Sequence, residues 1–497
     1  MQLPFSFPPM LFANGGVRGT GSKAFMAVNA IAVALSTGVL IYAVYLATKP
    51  AQWGDSGFFL AEIVSGNRSF SGPLAHPGYK IVAAAFYSLL GLNGIFALNA
   101  LCNGLTSYFI FRTAQELGAS VRAGFIGASG FFLSQPAFWL SANVEVYPLH
   151  NAVLMFGIYF VLRGLGRTEH IRWRPYAGGV ALIVLSISLH QLSTLVLPAL
   201  ALDLAHRLGP GVKLNAKKYA RPGVLIGVAV LLAAVAVLAV SSFTWFAGYF
   251  GFAESGERWA NRYFSVSAII REPKYFLLAI YGLGVLSIGL GLRSRSDQRV
   301  RFIRYAVLFQ LVFVLTYDIP DRFTFLLPAL SLLSILLALL LDGFSGVGKR
   351  VVLAGILCPI LVGVLASAHM FPPSLFPQHY NANRYRSDVE YFLSPYFRDA
   401  SAQRFVDDLS AIAHDRPDRA VTLIGDDWTP NGALISALST GYARNIKMVG
   451  LKDLDYGMDG CPQVPHDRLY VVFRRSEGTP VEARCVQPLG RLWAVRD

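Results

Sequence analysis

Charge is what this chain has least of. Only 14% of its 497 residues are Asp, Glu, Lys or Arg, while 54% are hydrophobic and the mean hydropathy is +0.48. A soluble domain carries about 25% charged residues, so an ordinary water-soluble fold is excluded and a polytopic membrane protein is implied. Acidic residues are the scarcer sign, 29 against 43 basic, for a net charge of +14. Such an excess invites a nucleic-acid partner, yet no folded basic domain is there to carry one. The arginines and lysines sit instead in short clusters between apolar runs, which is topology information. Cysteine is scarce too, at four residues, with no zinc-site spacing. Cys102 and Cys358 fall in apolar runs as small fillers, which leaves Cys461 and Cys485 to pair if their compartment is oxidising. No Gly-rich phosphate loop follows a strand, so no soluble nucleotide-binding fold is visible.

What is abundant is apolar sequence. Candidate spans lie near 24–47, 95–111, 123–140, 148–162, 176–188, 192–204, 224–246, 275–292, 305–317, 323–341 and 351–370. The first, with Arg18 and Lys23 before it and no small-residue cleavage site, reads as a signal anchor. Arg18/Lys23, Arg112/Arg122, Arg163–Arg174, Arg207–Arg221, Arg293–Arg301 and Lys349/Arg350 fall in alternate loops. That alternation predicts eleven spans and a cytoplasmic N-terminus. The run 79–92 is too short to span and reads as an interfacial or re-entrant helix on the outer side. The expected organisation is a transmembrane domain over 1–370, with a first outer loop at 48–94, and a small soluble α/β domain over 371–497 outside. In that domain 420–427, 446–451 and 468–473 read as strands and 431–445 as a helix. The acids of the 425–428 loop either end a strand at a solvated turn or serve a metal or substrate.

The outer loops collect the unusual residues. Asp55, Glu62 and His76 lie in the first of them, Glu145 follows the third span, His190 sits in a turn, and Asp318, Asp321 and Arg322 precede the tenth. Polar groups beside a bilayer are costly to keep, so they mark a functional site. Asp55 and Glu145 have the chemistry for a general base and a partner that orients an acceptor or binds a metal. The competing reading makes each a helix-end acid, worth ~0.3–1 kcal/mol. Arg322 is either an interfacial anchor or the cation for a lipid-borne phosphate.

Taken in order, WGDSGFF (53–59), AHPGY (75–79), FWLSANVEVYPLH (138–150), SLHQLSTLVLP (188–198) and YDIPDRFTFLLP (317–328) resemble the protein O-mannosyltransferase-like branch of the GT-C glycosyltransferases. The resemblance covers about residues 25–370. It implies a multi-pass enzyme of the inner or plasma membrane with an extracytoplasmic site. The donor would be a polyprenyl-phosphate-linked sugar. The acceptor would be a hydroxyl of a protein, a lipid-linked glycan or an envelope polymer, attacked with inversion. Asp55 then falls on the catalytic base, with Glu145 beside it. His76, Tyr79, Tyr147, His190, Asp318, Asp321 and Arg322 fall on substrate- and donor-binding positions. The branch usually reads DSGEF and HPPGYP, where this chain has Phe58 and the single Pro77. No cofactor is required by the motifs; a divalent metal is the one candidate, and Phe58 in place of an acid bears on it. A secondary transporter would need charges at mid-membrane and paired repeats, neither of which is visible. A non-catalytic lipid- or glycan-binding protein is the third possibility.

Overall fold

The computed structural model describes residues 38–66, 76–166, 171–208, 266, 269–270, 273–291, 298–319, 321–372, 375, 385, 388–425, 428–450, 453–456, 460–465, 467–473 and 481–496. The expected span 224–246, most of the 207–221 loop, the start of the first run, and Asp426 and Asp427 lie outside them. Residues 43–497 form one compact unit; of the separate unit Met1–Tyr42 only the beginning of a helix, Gly38–Ala47, is described.

The membrane part is helical, as the composition requires, since a helix satisfies its own backbone where water cannot. Its elements are α1 (Gly54–Ser65), α2 (Pro77–Leu90), α3 (Leu92–Glu116), α4 (Val121–Phe132), α5 (Gln135–Ser141), α6 (Tyr147–Leu165), α7 (Trp173–Leu189), α8 (Leu197–Leu208), α9 (Pro273–Leu283), α10 (Gln298–Thr316), α11 (Leu327–Leu341) and α12 (Gly346–Ser367). Among the described residues five helical stretches are long and apolar enough to cross a membrane: Leu92–Glu116, Tyr147–Leu165, Pro273–Gly291, Arg322–Leu341 and Gly346–Ser367.

Two outermost patterns show what lies inside. Along α11, Leu330, Leu333, Leu336 and Leu337 are all buried, so this helix is the interior post of the bundle. Along α12, Val347, Val351, Leu357 and Leu361 are exposed, an apolar face of the kind a bilayer covers.

Expected spans are interrupted where the sequence holds proline or a strained glycine. The run 123–140 is not one helix: α4 ends at Phe132 and α5 starts at Gln135, with Pro136 in its first turn. Proline cannot donate to the helix before it and its ring opposes continuation, so the chain restarts. The break is bridged from the far end of the chain. Tyr396 donates its hydroxyl to the Leu133 carbonyl (2.8 Å), and Gln135 donates to the Phe392 carbonyl (2.6 Å). Tight 3₁₀ turns occupy Gln191–Val196, Gly284–Gly291 and Arg322–Leu326, so the spans expected at 192–204, 275–292 and 323–341 are each part 3₁₀ and part α. The short run 79–92 is a helix of its own, α2, separated from α3 by Gly91 at φ 62.

After α12 come α13 (Asp388–Leu393), α14 (Ser401–Asp415), β1 (Ala420–Gly425), α15 (Trp428–Ser439), β2 (Ile446–Gly450), β3 (Arg468–Val472), β4 (Val486–Leu489) and β5 (Leu492–Val495). The expected strands are present, and the helix expected at 431–445 runs instead over Trp428–Ser439. They build a five-stranded sheet in the order β2-β1-β3-β5-β4. The first three strands are parallel, with Val421 opposite Ile446 and Leu469, and β5 and β4 close it antiparallel. Its core takes Phe405, Leu409, Leu423, Leu434 and Val471, and also Ala51 and Trp53 from just before α1. The small domain is thus completed by residues more than 300 positions earlier in the chain.

Cys461 and Cys485 are joined as a disulfide, with Cα atoms 5.4 Å apart across a separation of 24 residues. Closing a loop of that length removes chain entropy worth on the order of 3 kcal/mol from the unfolded state. Cys485→Ser should therefore lower the unfolding midpoint of the purified protein, and reduction should lower the parent to the same value while leaving the variant unmoved. Equal midpoints for parent and variant without reductant would show that the bond contributes nothing.

Candidate active site

Trp53 is the extended residue before α1, and Gly54 turns the chain into the helix at φ 54. Trp53 is anchored deeply. Its Nε1 donates to Ser401 Oγ (2.7 Å), and its ring packs at 5.4 Å from Phe405 and 5.7 Å from Phe473. Asp55 follows in the first turn of α1 and is exposed. An acid there is favoured by the helix dipole, so the helix-end and functional readings of Asp55 meet in one position.

The next residue ties α1 to the third motif. Ser56 Oγ donates to Glu145 Oε1 at 2.8 Å. Glu145 lies on the connection between α5 and α6 and is buried. That connection is pinned on both sides: Asn99 donates to the Asn143 carbonyl (2.7 Å), and the Val144 N–H donates to Gln52 Oε1 (3.1 Å). Burial holds the Glu145 carboxyl well above the usual range, and Asp55 beside it pushes the same way. Asp321, half-buried, is raised to about 7 by burial and then by Asp55. Asp55 is therefore the charge neighbour shared by two reluctant carboxyls.

Arg322 opens the Arg322–Leu326 turn and is fully buried. Its Nε donates to the Ile319 carbonyl (3.0 Å), and its Nη2 lies 3.7 Å from Asp318 Oδ1. It does not reach outwards as an interfacial anchor would. Its charge opposes the upward shift of Asp321.

The histidines converge from three elements. His76 precedes α2 and stacks on His190 at 5.2 Å and 15°. Tyr147 lies 4.9 Å from His190, and Phe325 lies 5.3 Å from Tyr147 and 5.2 Å from Tyr317. Phe59 of α1 touches both His76 (5.8 Å) and Tyr79 (5.7 Å). An unbroken run of rings thus connects all five motifs. The sequence reading missed one member, His150, which is fully buried with its ring 5.1 Å from His190. The signal was available: His150 stands three residues after Tyr147, on the same face of α6. Burial lowers His76 to about 4 and His190 well below its ordinary value, so both are neutral at neutral pH. His190 Nδ1 accepts from the Leu192 N–H (3.2 Å), which assigns the ring proton to Nε2.

Glu62 is paired with Lys80 (2.5 Å), joining α1 to α2, and so is engaged elsewhere than at the position where Phe58 replaces an acid. Among the described residues no three His, Cys, Asp or Glu side chains are gathered so as to hold a metal ion. The carboxylates and histidines lie in one neighbourhood without forming such a ligand set among the described residues.

Comparison with known proteins finds related architecture. Residues 81–208 match the family model described as the Protein O-mannosyl-transferase TMEM260 N-terminal domain. The chain shares its fold with ArnT from Cupriavidus metallidurans. The crystal structure bound to undecaprenyl phosphate matches with TM-score 0.55 and 14% identity, over 88% of this chain and 92% of that one. The apo structure matches with TM-score 0.54 and 14% identity, over 87% of each. No curated protein sequence matches the chain. The matched model and fold agree with the resemblance to the O-mannosyltransferase-like branch of the GT-C glycosyltransferases. The model's residues include Glu145, Tyr147 and His190.

The raised Asp321 carboxyl has a consequence for stability. The Asp321 carboxyl holds its proton to about 7 in the fold, against an ordinary 3.8. Between those values the unfolded chain binds fewer protons, so this group makes stability fall as pH rises from about 4 to about 7, and contributes no slope outside that window. His76 acts oppositely: at about 4 against 6.5, it makes stability fall as pH drops through that interval. Asp321→Asn removes only the first slope. The midpoint difference between variant and parent should therefore grow in the variant's favour from pH 4 to pH 7 in thermal scans in detergent. A constant difference would show that Asp321 titrates normally.

Proposed function

We propose that this chain is a membrane glycosyltransferase that moves a sugar from a polyprenyl-phosphate-linked donor to an acceptor hydroxyl. The observation that carries the reading is the arrangement of Asp55, Ser56, Glu145 and Asp321: one exposed carboxylate at a helix start, beside two that burial disposes to hold protons. Such a pairing separates a proton acceptor from its neighbours by environment alone. The fold shared with ArnT, and the undecaprenyl phosphate seen in that protein, support a lipid-phosphate donor.

In this mechanism Asp55 accepts the proton of the acceptor hydroxyl as its oxygen attacks the anomeric carbon in line. The bond from that carbon to the phosphate oxygen breaks, and the lipid phosphate leaves. A single displacement of this kind inverts the anomeric centre. Glu145 stays protonated and, through Ser56, keeps the first turn of α1 in register. Arg322, held by Ile319 and Asp318, stabilises the charge that grows on the leaving phosphate. His190 contributes there as a neutral donor through Nε2, not as a cation. His76, Tyr79 and Tyr147 shape the ring-lined wall against which the donor sits. The acceptor hydroxyl belongs to a protein, a lipid-linked glycan or an envelope polymer. The arginine clusters support eleven spans with the N-terminus in the cytoplasm, and thereby an extracytoplasmic site and sheet domain in the inner or plasma membrane.

That topology is testable by cysteine labelling in intact cells. A cysteine at Asp399 should react with a membrane-impermeant maleimide, and one at Arg163 should not; the reverse pattern would move the site to the cytoplasm.

The chemistry separates the two key residues. Asp55→Asn keeps the size of the side chain but cannot accept the proton, so turnover should fall roughly 100-fold or more with lipid-phosphate binding intact. Arg322→Ala should weaken polyprenyl phosphate binding as well as turnover, and Arg322→Lys should restore only part, because lysine lacks the guanidinium fork. Turnover and binding by purified protein in nanodiscs decide both. Normal turnover in Asp55→Asn rules out the base, and unchanged lipid-phosphate affinity in Arg322→Ala rules out the phosphate contact.

A further inference from the structure

The sheet domain meets α1 through α15, and it does so backbone against backbone. A Cβ placed on Gly432 of α15 would lie 2.2 Å from the Gly54 carbonyl oxygen, and one on Gly57 would lie 2.3 Å from the Gly432 carbonyl oxygen. No real side chain tolerates such distances, so α1 and α15 cross with nothing between them. Glycine within a helix is intrinsically unfavourable, and close approach is the reason to keep it there. Two of these three glycines flank Asp55.

One turn further along α15 stands Ser436, fully buried, whose Oγ accepts the Gln52 N–H at 3.1 Å. The Gln52 side chain, also buried, uses both ends. Its Oε1 accepts the N–H of Val144, the residue before Glu145, at 3.1 Å. Its Nε2 donates to the carbonyls of Ala47 (3.3 Å) and Lys49 (3.4 Å). Below this, Thr440 donates to the Pro50 carbonyl (3.2 Å). The same helix therefore touches the carrier of each carboxylate: α1 directly at Gly432, and the 142–146 connection through Ser436 and Gln52.

We propose that Gly432 and Gln52 are positioning residues, and that α15 is the template that fixes Asp55 relative to Glu145. The sheet domain is then part of the catalytic apparatus and not an appended module. This rests on the reading of Asp55 as the base. A methyl group at Gly432 forces α1 away by a large fraction of an ångström, and misplacement on that scale costs turnover while leaving a remote lipid-binding surface in place. Gln52→Ala frees the Val144 N–H without any clash, and Gln52→Glu keeps an acceptor for it.

The test is a double-mutant cycle on the full-length protein in nanodiscs. Polyprenyl-phosphate mannose is the donor probe, a crude envelope extract supplies acceptors, and released polyprenyl phosphate is the readout. Gly432→Ala and Gln52→Ala should each lower kcat on the order of 10- to 100-fold, with the donor KM within about twofold. Gln52→Glu should recover part of the loss. In an Asp55→Asn background the same substitutions should change the residual turnover less than about twofold, because the group they misplace is already gone. Equal losses in both backgrounds, or unchanged kcat in the single variants, would overturn the positioning role. If Gly432→Ala does not yield folded protein, the Gln52 arm alone decides. Undiminished turnover in Asp55→Asn is a different failure: it removes the base reading first and this inference with it.

Discussion

The crossing of α1 and α15 is the contact on which the rest of the site depends. Glycine at 54, 57 and 432 lets two helix backbones meet, so the position of α1 follows from main-chain atoms and not from adaptable side chains. Interiors packed this way are stiff and transmit displacement with little loss. Trp53, bonded to Ser401 and enclosed by Phe405 and Phe473, fixes the approach to the helix, and Ser56 passes its position to Glu145. The segment that carries α1 is thus a shared element, embedded at one end in the sheet domain's core and at the other against the helical bundle through Phe59, Tyr79 and Ile95.

Electrostatics then sorts groups of similar chemistry into different states. Glu145 and Asp321 are enclosed and Asp55 is exposed, so environment separates three carboxyl groups that share a neighbourhood. The histidines are disposed likewise: enclosed among aromatic rings, His76 and His190 lose their charge and keep a directional N–H. Positive charge is supplied instead by Arg322, a group that burial cannot neutralise at any ordinary pH. On the proposed reading, a site that meets a lipid phosphate beside an apolar phase gains from that division of labour. The cation is fixed, and the remaining groups do not compete with it for charge.

Much of this was legible along the chain. Low charge, long apolar runs and alternating arginine clusters reflect the cost of polar groups in lipid, which acts on each segment separately and therefore shows locally. The sheet strands Ala420–Gly425, Ile446–Gly450 and Arg468–Val472 were readable from short apolar runs, and the pairing of Cys461 with Cys485 from their being the two cysteines outside the apolar spans. The broken helix at Leu133–Ser134 was less so, because apolar composition continues through Pro136 and masks the interruption.

The sequence by itself determined which residues are proposed for the chemistry. Asp55, Glu145, His190 and Arg322 stand out because isolated polar groups among apolar ones need a reason. Only the tertiary structure decided how they are held. It brought His150 into the ring wall, turned Glu62 towards Lys80, buried Arg322 on Asp318, and placed Gly432 against Gly54 across nearly 380 residues of chain. The physical reason is range. Hydropathy and helix-end preferences act over a turn or two and leave a trace in neighbouring residues. A backbone crossing between distant segments leaves only an unremarked glycine in each.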